Sequence, residues 1–512
     1  MNETLTAKAF HGLKWSYFGT VINTVTQIAF TAIMARLLDP PSFGLMAMAN
    51  VVIRFGSYFA QMGISPAIIQ KKEIEEKDIQ AAFTLSFILG LIFFLLIFLL
   101  APFSVYVFDN VEVIPILRYM AISFIAIGFF NTSLGLLRRN LQFKLVSLFE
   151  VLSFVLGYGL ISVVAAYMGM GVWSLVIGAL TQQLVMALLC YISVRHPLRF
   201  VWKWSGYFWL YSFGGRVSVI NFIEFLSANL DTFVIGRYLG PNSLGVYNRA
   251  YMLINLPAYQ LANSLNKVIF PSFSKIQSDI PKLKRAYASS ITLLSVILFP
   301  VCFGVIPAAK EVVLVILGDQ WSGAVPVLQI LAVATSFNLL AHIGGLTCEA
   351  TANLRIKLII QSFCLALLAI LFFLLSYLGL LGFAIAVVTM ECVRFFSYIL
   401  IMRRILDWPL IEAWNTYKAA VISTICVSVG ILLISIFLRS YDISTYIIFI
   451  FQLITGFMIL SVILLYFPPN YFKKELRSRI LNQDLSIKQG SLLNTVFVCL
   501  KKSPLLRLKE IN

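Results

Sequence analysis

Apolar runs of about twenty or more residues follow one another along the whole chain, separated by short polar turns. A helix of that length crosses ~30 Å of hydrocarbon. The runs are too continuous for the ~10-residue alternating strands of a membrane barrel, and only helices or closed barrels satisfy their backbone groups in lipid. The pattern therefore predicts an all-α polytopic membrane protein with about 14 transmembrane helices. The expected spans are 12–36, 43–68, 80–101, 113–137, 145–168, 172–195, 207–237, 244–272, 285–306, 325–350, 355–377, 380–402, 416–438 and 446–467.

The pattern is written twice. "ARLLDPPSFGLM", Ala35 to Met46, returns as "GRYLGPNSLGVY", Gly236 to Tyr247, at a shift of 201 (Arg36 to Arg237). "NLQFK" from Asn140 returns as "NLRIK" from Asn353, "YMG" from Tyr167 as "YLG" from Tyr377, and "PILR" from Pro115 as "PVLQ" from Pro326. Their shifts are 213, 210 and 211, which places an insertion in the second copy, assigned to "PAAKEVVLVILGDQWSGA", Pro307 to Ala324. Two six-helix lobes of equal orientation follow, related by a pseudo-twofold along the membrane normal, with two further C-terminal helices. The domains so defined are an N-lobe (1–203), a C-lobe (204–406), the last two spans (407–469) and a basic amphipathic cytoplasmic tail (470–512). In the repeated turn, proline is expected to stop one helix, serine to cap the next and glycine to let the chain turn closely.

Composition agrees: 60% of the 512 residues are hydrophobic and 12% charged, with a mean hydropathy of +0.91. The net charge of +17 points to membrane lipid and away from nucleic acid once its placement is considered. The basic residues concentrate in the N-terminus, the even-numbered loops ("QKKEIEEKD", "RRNLQFK", "VRHPLRFVWK", "KLKR", "MRRI") and the tail, while Arg36, Arg237, Lys310 and Arg439 belong to odd-numbered loops. By the positive-inside rule both termini are expected in the cytoplasm. The start lacks the order of a cleavable signal, so the first span is expected to be retained. The seven cysteines show no CxxC spacing and read as packing residues, with no metal site. No "GxxxxGK[ST]" phosphate loop occurs, and the longest outward segment is too short for a membrane polysaccharide polymerase or glycosyltransferase; no catalytic residue is assigned.

Charged groups at bilayer depth cost at least ~2.5 kcal/mol each and call for a function or a partner. Arg54, Arg216 and Arg249 are candidate cavity cations, accompanied by the polar stripe of Asn23 and Gln27 on the first span. Guanidinium forks suit a diphosphate through paired charge-assisted hydrogen bonds. Glu224 and Asp231 differ by about 20° around one helix, and Asn338, His342, Gly345 and Glu349 form a stripe on another. Glu224, Asp231, His342 and Glu349 are candidates for cavity pairing or for coupling to an ion, H⁺ or Na⁺. Trp15, Tyr17, Tyr58, Tyr247 and Tyr251 are candidates for stacking on sugar rings. Glu391 and Arg394, three apart, are expected to neutralise one another.

"MARLLDPPSFGLMAMANVVIRFGSYFAQMGISPAIIQKKEI", then "RRNLQFK", "MGMGVWSLVIGAL" and "VILGDQWSGAVPVLQILA", resemble the Wzx-type polysaccharide flippases of the multidrug/oligosaccharidyl-lipid/polysaccharide exporter superfamily. The resemblance covers spans one to twelve. It implies a V-shaped, alternating-access transporter of the bacterial inner membrane, needing no cofactor. The implied cargo is an undecaprenyl-diphosphate-linked oligosaccharide, and the partners are this lipid-linked oligosaccharide, membrane lipids and other polysaccharide assembly proteins. A drug/cation antiporter of the same superfamily and a peptidoglycan-precursor flippase are the alternative readings; the basic excess disfavours cationic drugs.

Overall fold

The computed structural model describes the backbone of residues 22–61, 63–71, 73–201 and 208–466, with side chains except those of 208–224, 257, 259–268, 271 and 466. Among the described residues 89% are helical and no strand occurs. Ten helical stretches are long and apolar enough to cross a membrane, one of them, Leu354–Ile405, with 52 residues. The expected tail, 470–512, lies outside the described residues.

Helix boundaries follow the turn chemistry. Helix α1 (22–37) ends before Asp39, α2 is Pro40–Gln61, and α3 is Ile64–Gln70. Gly63, at φ 68°, separates α2 from α3 within the expected second span. Helix α4 (Glu76–Leu100) opens with a capping box between Glu75 and Asp78, satisfying two of its free N–H groups. It passes through a short 3₁₀ turn at Pro102 into α5 (Ser104–Phe108). Then follow α6 (Val113–Ala121), α7 (Ser123–Arg139), α8 (Phe143–Phe154), a π-helical stretch Val155–Ser162, α9 (Val163–Tyr167) and α10 (Val172–Val194).

Expected spans seven and eight are the two arms of α11 (Phe208–Lys275), two helices that meet at a kink at Gly240, whose φ of 74° and ψ of −176° are not helical. Only glycine enters that region at little cost. Helix α12 (Ile280–Ile316) runs through Pro300 and Pro307, so most of the expected insertion continues a helix. The chain ends with α13 (Ala324–Ala350), α14 (Leu354–Leu375), α15 (Gly379–Ile405), α16 (Leu410–Arg439) and α17 (Thr445–Tyr466).

The chain forms two compact units. The first gathers residues up to Leu253 with Ile316–Trp321 and Ser376–Phe383; the second holds the remainder. Small residues let helices of the first unit approach closely, the usual source of packing energy where lipid offers no hydrophobic drive. A Cβ on Gly90 of α4 would overlap the Phe124 carbonyl of α7, and one on Gly128 would overlap that of Ser86. Gly157 of the π stretch meets Gly178 and Gln182 of α10 in the same way.

In the second unit a buried polar knot ties α12 to α16 and α17. Arg439 donates to both carboxylate oxygens of Glu311, each at 2.8 Å. Gln452 donates to the same carboxylate at 3.0 Å and to Ser435 Oγ at 2.8 Å. The Glu311 side chain is 2% exposed, so these donors replace the water it lacks.

Candidate functional site

The repeated turn is where the two copies meet within the first unit. Proline begins a helix at the first turn instead of ending one: Pro40 is the first residue of α2, where its missing N–H costs nothing. The expected serine cap is corrected to an aspartate cap, because Asp39 Oδ1 accepts from the Ser42 N–H at 3.3 Å and from its hydroxyl at 2.5 Å. The glycines do not turn the chain either. A Cβ on Gly44 would overlap the Pro241 carbonyl, and one on Gly245 would overlap the Pro40 carbonyl. Each copy's glycine thus admits the other copy's proline.

Each turn also receives a loop from the opposite copy. Trp321 Nε1 donates to the Ala35 carbonyl at 2.7 Å, and Gln320 Nε2 donates to Leu38 O at 3.1 Å and to Ala35 O. The Ala35 carbonyl belongs to the last turn of α1, where no helical donor remains. At the second turn, Arg237 donates to Val105 O at 3.3 Å and lies 3.8 Å from Asp109. Phe233 stacks on Phe108 with centroids 5.8 Å apart.

Beside this crossing sits one of the expected cations. Arg249, four residues beyond Gly245, lies with Cζ 4.4 Å from the Phe43 ring centroid, Phe43 being next to Gly44. Its Nη2 donates to Asn248 Oδ1 at 3.0 Å, while Nε is buried without a hydrogen-bond partner. Arg54 follows on α2, exposed. Both guanidiniums lie within electrostatic range of the Tyr158 phenol on the π stretch. The Tyr158 ring packs edge-on against Phe30 of α1 at 5.0 Å. Among the described residues no carboxylate forms an ion pair with either arginine. A half-buried guanidinium with spare donors has the chemistry to accept a bidentate phosphate, which would satisfy the fork. Phe43 and Tyr158 escaped the sequence reading; the signals were a phenylalanine inside the repeated turn and the glycine-flanked "GYG".

The other expected residues are placed as follows. Asn23 and Gln27 bond to one another along α1, Gln27 Nε2 to Asn23 Oδ1 at 3.2 Å. Asp231 accepts from the Tyr247 hydroxyl at 2.9 Å and from the Thr232 N–H at 2.7 Å. That bond staples the two arms of α11 across the Gly240 kink. Tyr247 is 2% exposed and stacks on Tyr251 at 6.2 Å, which leaves it no free face for sugar. Tyr58 is 50% exposed. Trp15 and Tyr17, and the side chains of Arg216 and Glu224, lie outside the described residues.

His342 and Glu349 lie in the second unit, on α13. Glu349 is ion-paired with Lys357 of α14. Asn338, on the same stripe, donates to Glu391 Oε1 at 2.8 Å. Glu391 also pairs with Arg394, as its spacing predicts. The stripe is thus engaged by neighbouring helices of its own unit. Among the described residues no group of three His, Cys, Asp or Glu side chains could hold a metal ion.

Comparison with known proteins agrees with this fold. The sequence model of a family described as "Polysaccharide biosynthesis protein" matches residues 33–326. The chain is 28% identical over 348 residues to lipopolysaccharide biosynthesis protein WzxC of Escherichia coli (strain K12), covering 67% of this chain and 69% of that one. It is 29% identical over 339 residues to the succinoglycan biosynthesis transport protein ExoT of Rhizobium meliloti (strain 1021), covering 65% and 68%. Among solved structures, the lipid II flippase MurJ in an inward closed conformation matches with a TM-score of 0.69 at 13% identity, over 92% of this chain and all of that one. At that identity the likeness is one of fold.

Proposed function

Because the chain belongs to the polysaccharide biosynthesis protein family, we propose that it is the flippase for an undecaprenyl-diphosphate-linked oligosaccharide repeat unit, carried across the bacterial inner membrane by alternating access. Its relatives are transporters and biosynthesis proteins, not enzymes. The observation that carries the reading is Arg249, set against Phe43 with a buried Nε that has no hydrogen-bond partner and, like Arg54, in no ion pair with a carboxylate among the described residues. In this reading the two forks hold the diphosphate, Tyr158 adds a hydroxyl donor, and the prenyl chain stays in lipid. Arg216 belongs to the same set by sequence.

Coupling to an ion gradient rests on Asp231. Its carboxylate takes a hydrogen bond from Tyr247, and binding of H⁺ or Na⁺ there competes with that donor and loosens the staple across the kink. Glu224, His342 and Glu349 are secondary candidates for the same role. Asp231→Asn is expected to keep substrate binding and to abolish the dependence of transport on the ion gradient; unaltered dependence removes Asp231 from the coupling.

The test of transport is the leaflet distribution of lipid-linked oligosaccharide in cells lacking the gene and complemented by variants. Arg54→Ala together with Arg249→Ala is expected to leave the lipid on the cytoplasmic leaflet at normal protein levels. Full rescue by that double variant overturns the site.

A further inference from the structure

The repeat of "PILR" as "PVLQ" puts an arginine and a glutamine at one position of the two copies: Arg118 on α6 and Gln329 on α13. Gln329 Nε2 donates to the Ile306 carbonyl of α12 at 3.0 Å, so the neighbouring helix satisfies its amide. The Arg118 side chain makes no ion pair or hydrogen bond among the described residues, and its Nε is buried without a partner. Its guanidinium lies 5.2 Å from the Phe98 ring centroid on α4. One copy thus fills this position with a neutral, paired side chain, and the other leaves a charge there for something outside the chain.

Two observations fix the depth of that charge. Phe98 lies 19 residues beyond Ile79 (98 minus 79), the first apolar residue of α4. At 1.5 Å per residue this is about 29 Å, the thickness of the hydrocarbon layer. Tyr119, next to Arg118, packs edge-on against Trp173 with centroids 5.2 Å apart, and Trp173 is the second residue of α10. Tyrosine and tryptophan collect at the membrane–water boundary. Both observations put Arg118 at headgroup level, on the side of the odd-numbered loops. Pro115, Tyr119 and Ile122 form the exposed, lipid-meeting face of α6, and Arg118 stands half-buried at its edge beside the partly exposed Phe98.

A guanidinium at this depth without a carboxylate faces a layer of phosphates. Its planar fork matches two phosphate oxygens through charge-assisted hydrogen bonds, and the phenyl face beside it attracts the same cation. We infer that Arg118 and Phe98 form a site for a lipid-borne phosphate in the leaflet on the side of the odd-numbered loops, either the phosphodiester of an anionic glycerophospholipid or the diphosphate of a prenyl lipid. This site stands whether or not Arg54 and Arg249 hold a diphosphate.

The experiment titrates the purified whole chain in detergent with phosphatidylglycerol, farnesyl diphosphate or phosphate-free diacylglycerol, and native mass spectrometry counts the lipids retained. Arg118→Gln installs the side chain that the second copy already carries, and Arg118→Lys keeps the charge without the fork. Farnesyl diphosphate is also titrated into Arg54→Ala/Arg249→Ala protein, with and without Arg118→Gln, so that those arginines contribute nothing. Arg118→Gln is expected to move half-occupancy by the first phosphate-bearing lipid to about tenfold higher concentration, with Arg118→Lys in between. Diacylglycerol retention stays at the parent level. A shift with phosphatidylglycerol alone assigns the site to a resident lipid, and a shift with farnesyl diphosphate in the Arg54→Ala/Arg249→Ala protein assigns it to a prenyl diphosphate. If neither phosphate lipid distinguishes Arg118→Gln from the parent, or if diacylglycerol is lost in equal measure, the site is overturned.

Discussion

Arg249 and Arg439 are the same side chain treated in opposite ways. Arg439 is paired: both carboxylate oxygens of Glu311 accept from it at 2.8 Å and the Pro307 carbonyl at 3.3 Å. Arg249 has one hydrogen-bond partner of its own helix, Asn248, and an aromatic face. A charge in an apolar surrounding that is fully paired holds helices together, and one left with spare donors is poised for a ligand. The two arginines thus differ in partner count, which sequence position alone does not reveal.

The largest effect should come from breaking the Glu311–Arg439 pair. Glu311→Ala leaves Arg439 and Gln452 without their acceptor and is expected to cost about 3 kcal/mol, discounted from the full buried-pair range because Arg439 is partly exposed. Thermal unfolding in detergent should show it as a lowered Tm, with transport per folded molecule unchanged. A variant that keeps its Tm but stops transporting would make Glu311 functional and break the contrast.

Arg249→Gln should do the reverse. Losing a charge-assisted bond of about 2 kcal/mol lowers transport roughly thirtyfold, while Tm holds or rises because an unpaired charge is gone. Arg54→Ala, at an exposed position, is expected to lower transport about tenfold, since a solvated guanidinium contributes less. The smallest effect belongs to Trp321→Phe, which removes one hydrogen bond to Ala35 and should cost about 1 kcal/mol of stability or less. All three can be read from leaflet distribution and thermal unfolding of the same preparations.

Much of the fold was legible because apolar run length sets where helices lie. The ends of α7, α10, α13 and α16 fall within a few residues of expectation, and the expected break between spans seven and eight falls at Gly240. The π stretch Val155–Ser162 was not legible, because "VLGYGLIS" has the same apolar signature in either helix type. The cations were legible from their cost in lipid. Their surroundings were not: Phe43 and Trp321 reach the site from positions 278 residues apart (321 minus 43). The repeated glycines were visible as a motif and misread as turn residues, since close backbone approach depends on a partner that spacing does not reveal. On the α13 stripe the partners were not legible either: Glu349 pairs with Lys357 of α14 and Asn338 donates to Glu391 of α15.

The proposed transport depends on the Arg54 and Arg249 guanidiniums holding the diphosphate of a prenyl-linked glycan. Equilibrium binding of a short-chain prenyl diphosphate sugar to the purified protein tests it most directly. The parent is expected to bind at least about a hundredfold more tightly than the Arg54→Ala/Arg249→Ala double variant. Equal affinity in a folded double variant would contradict it.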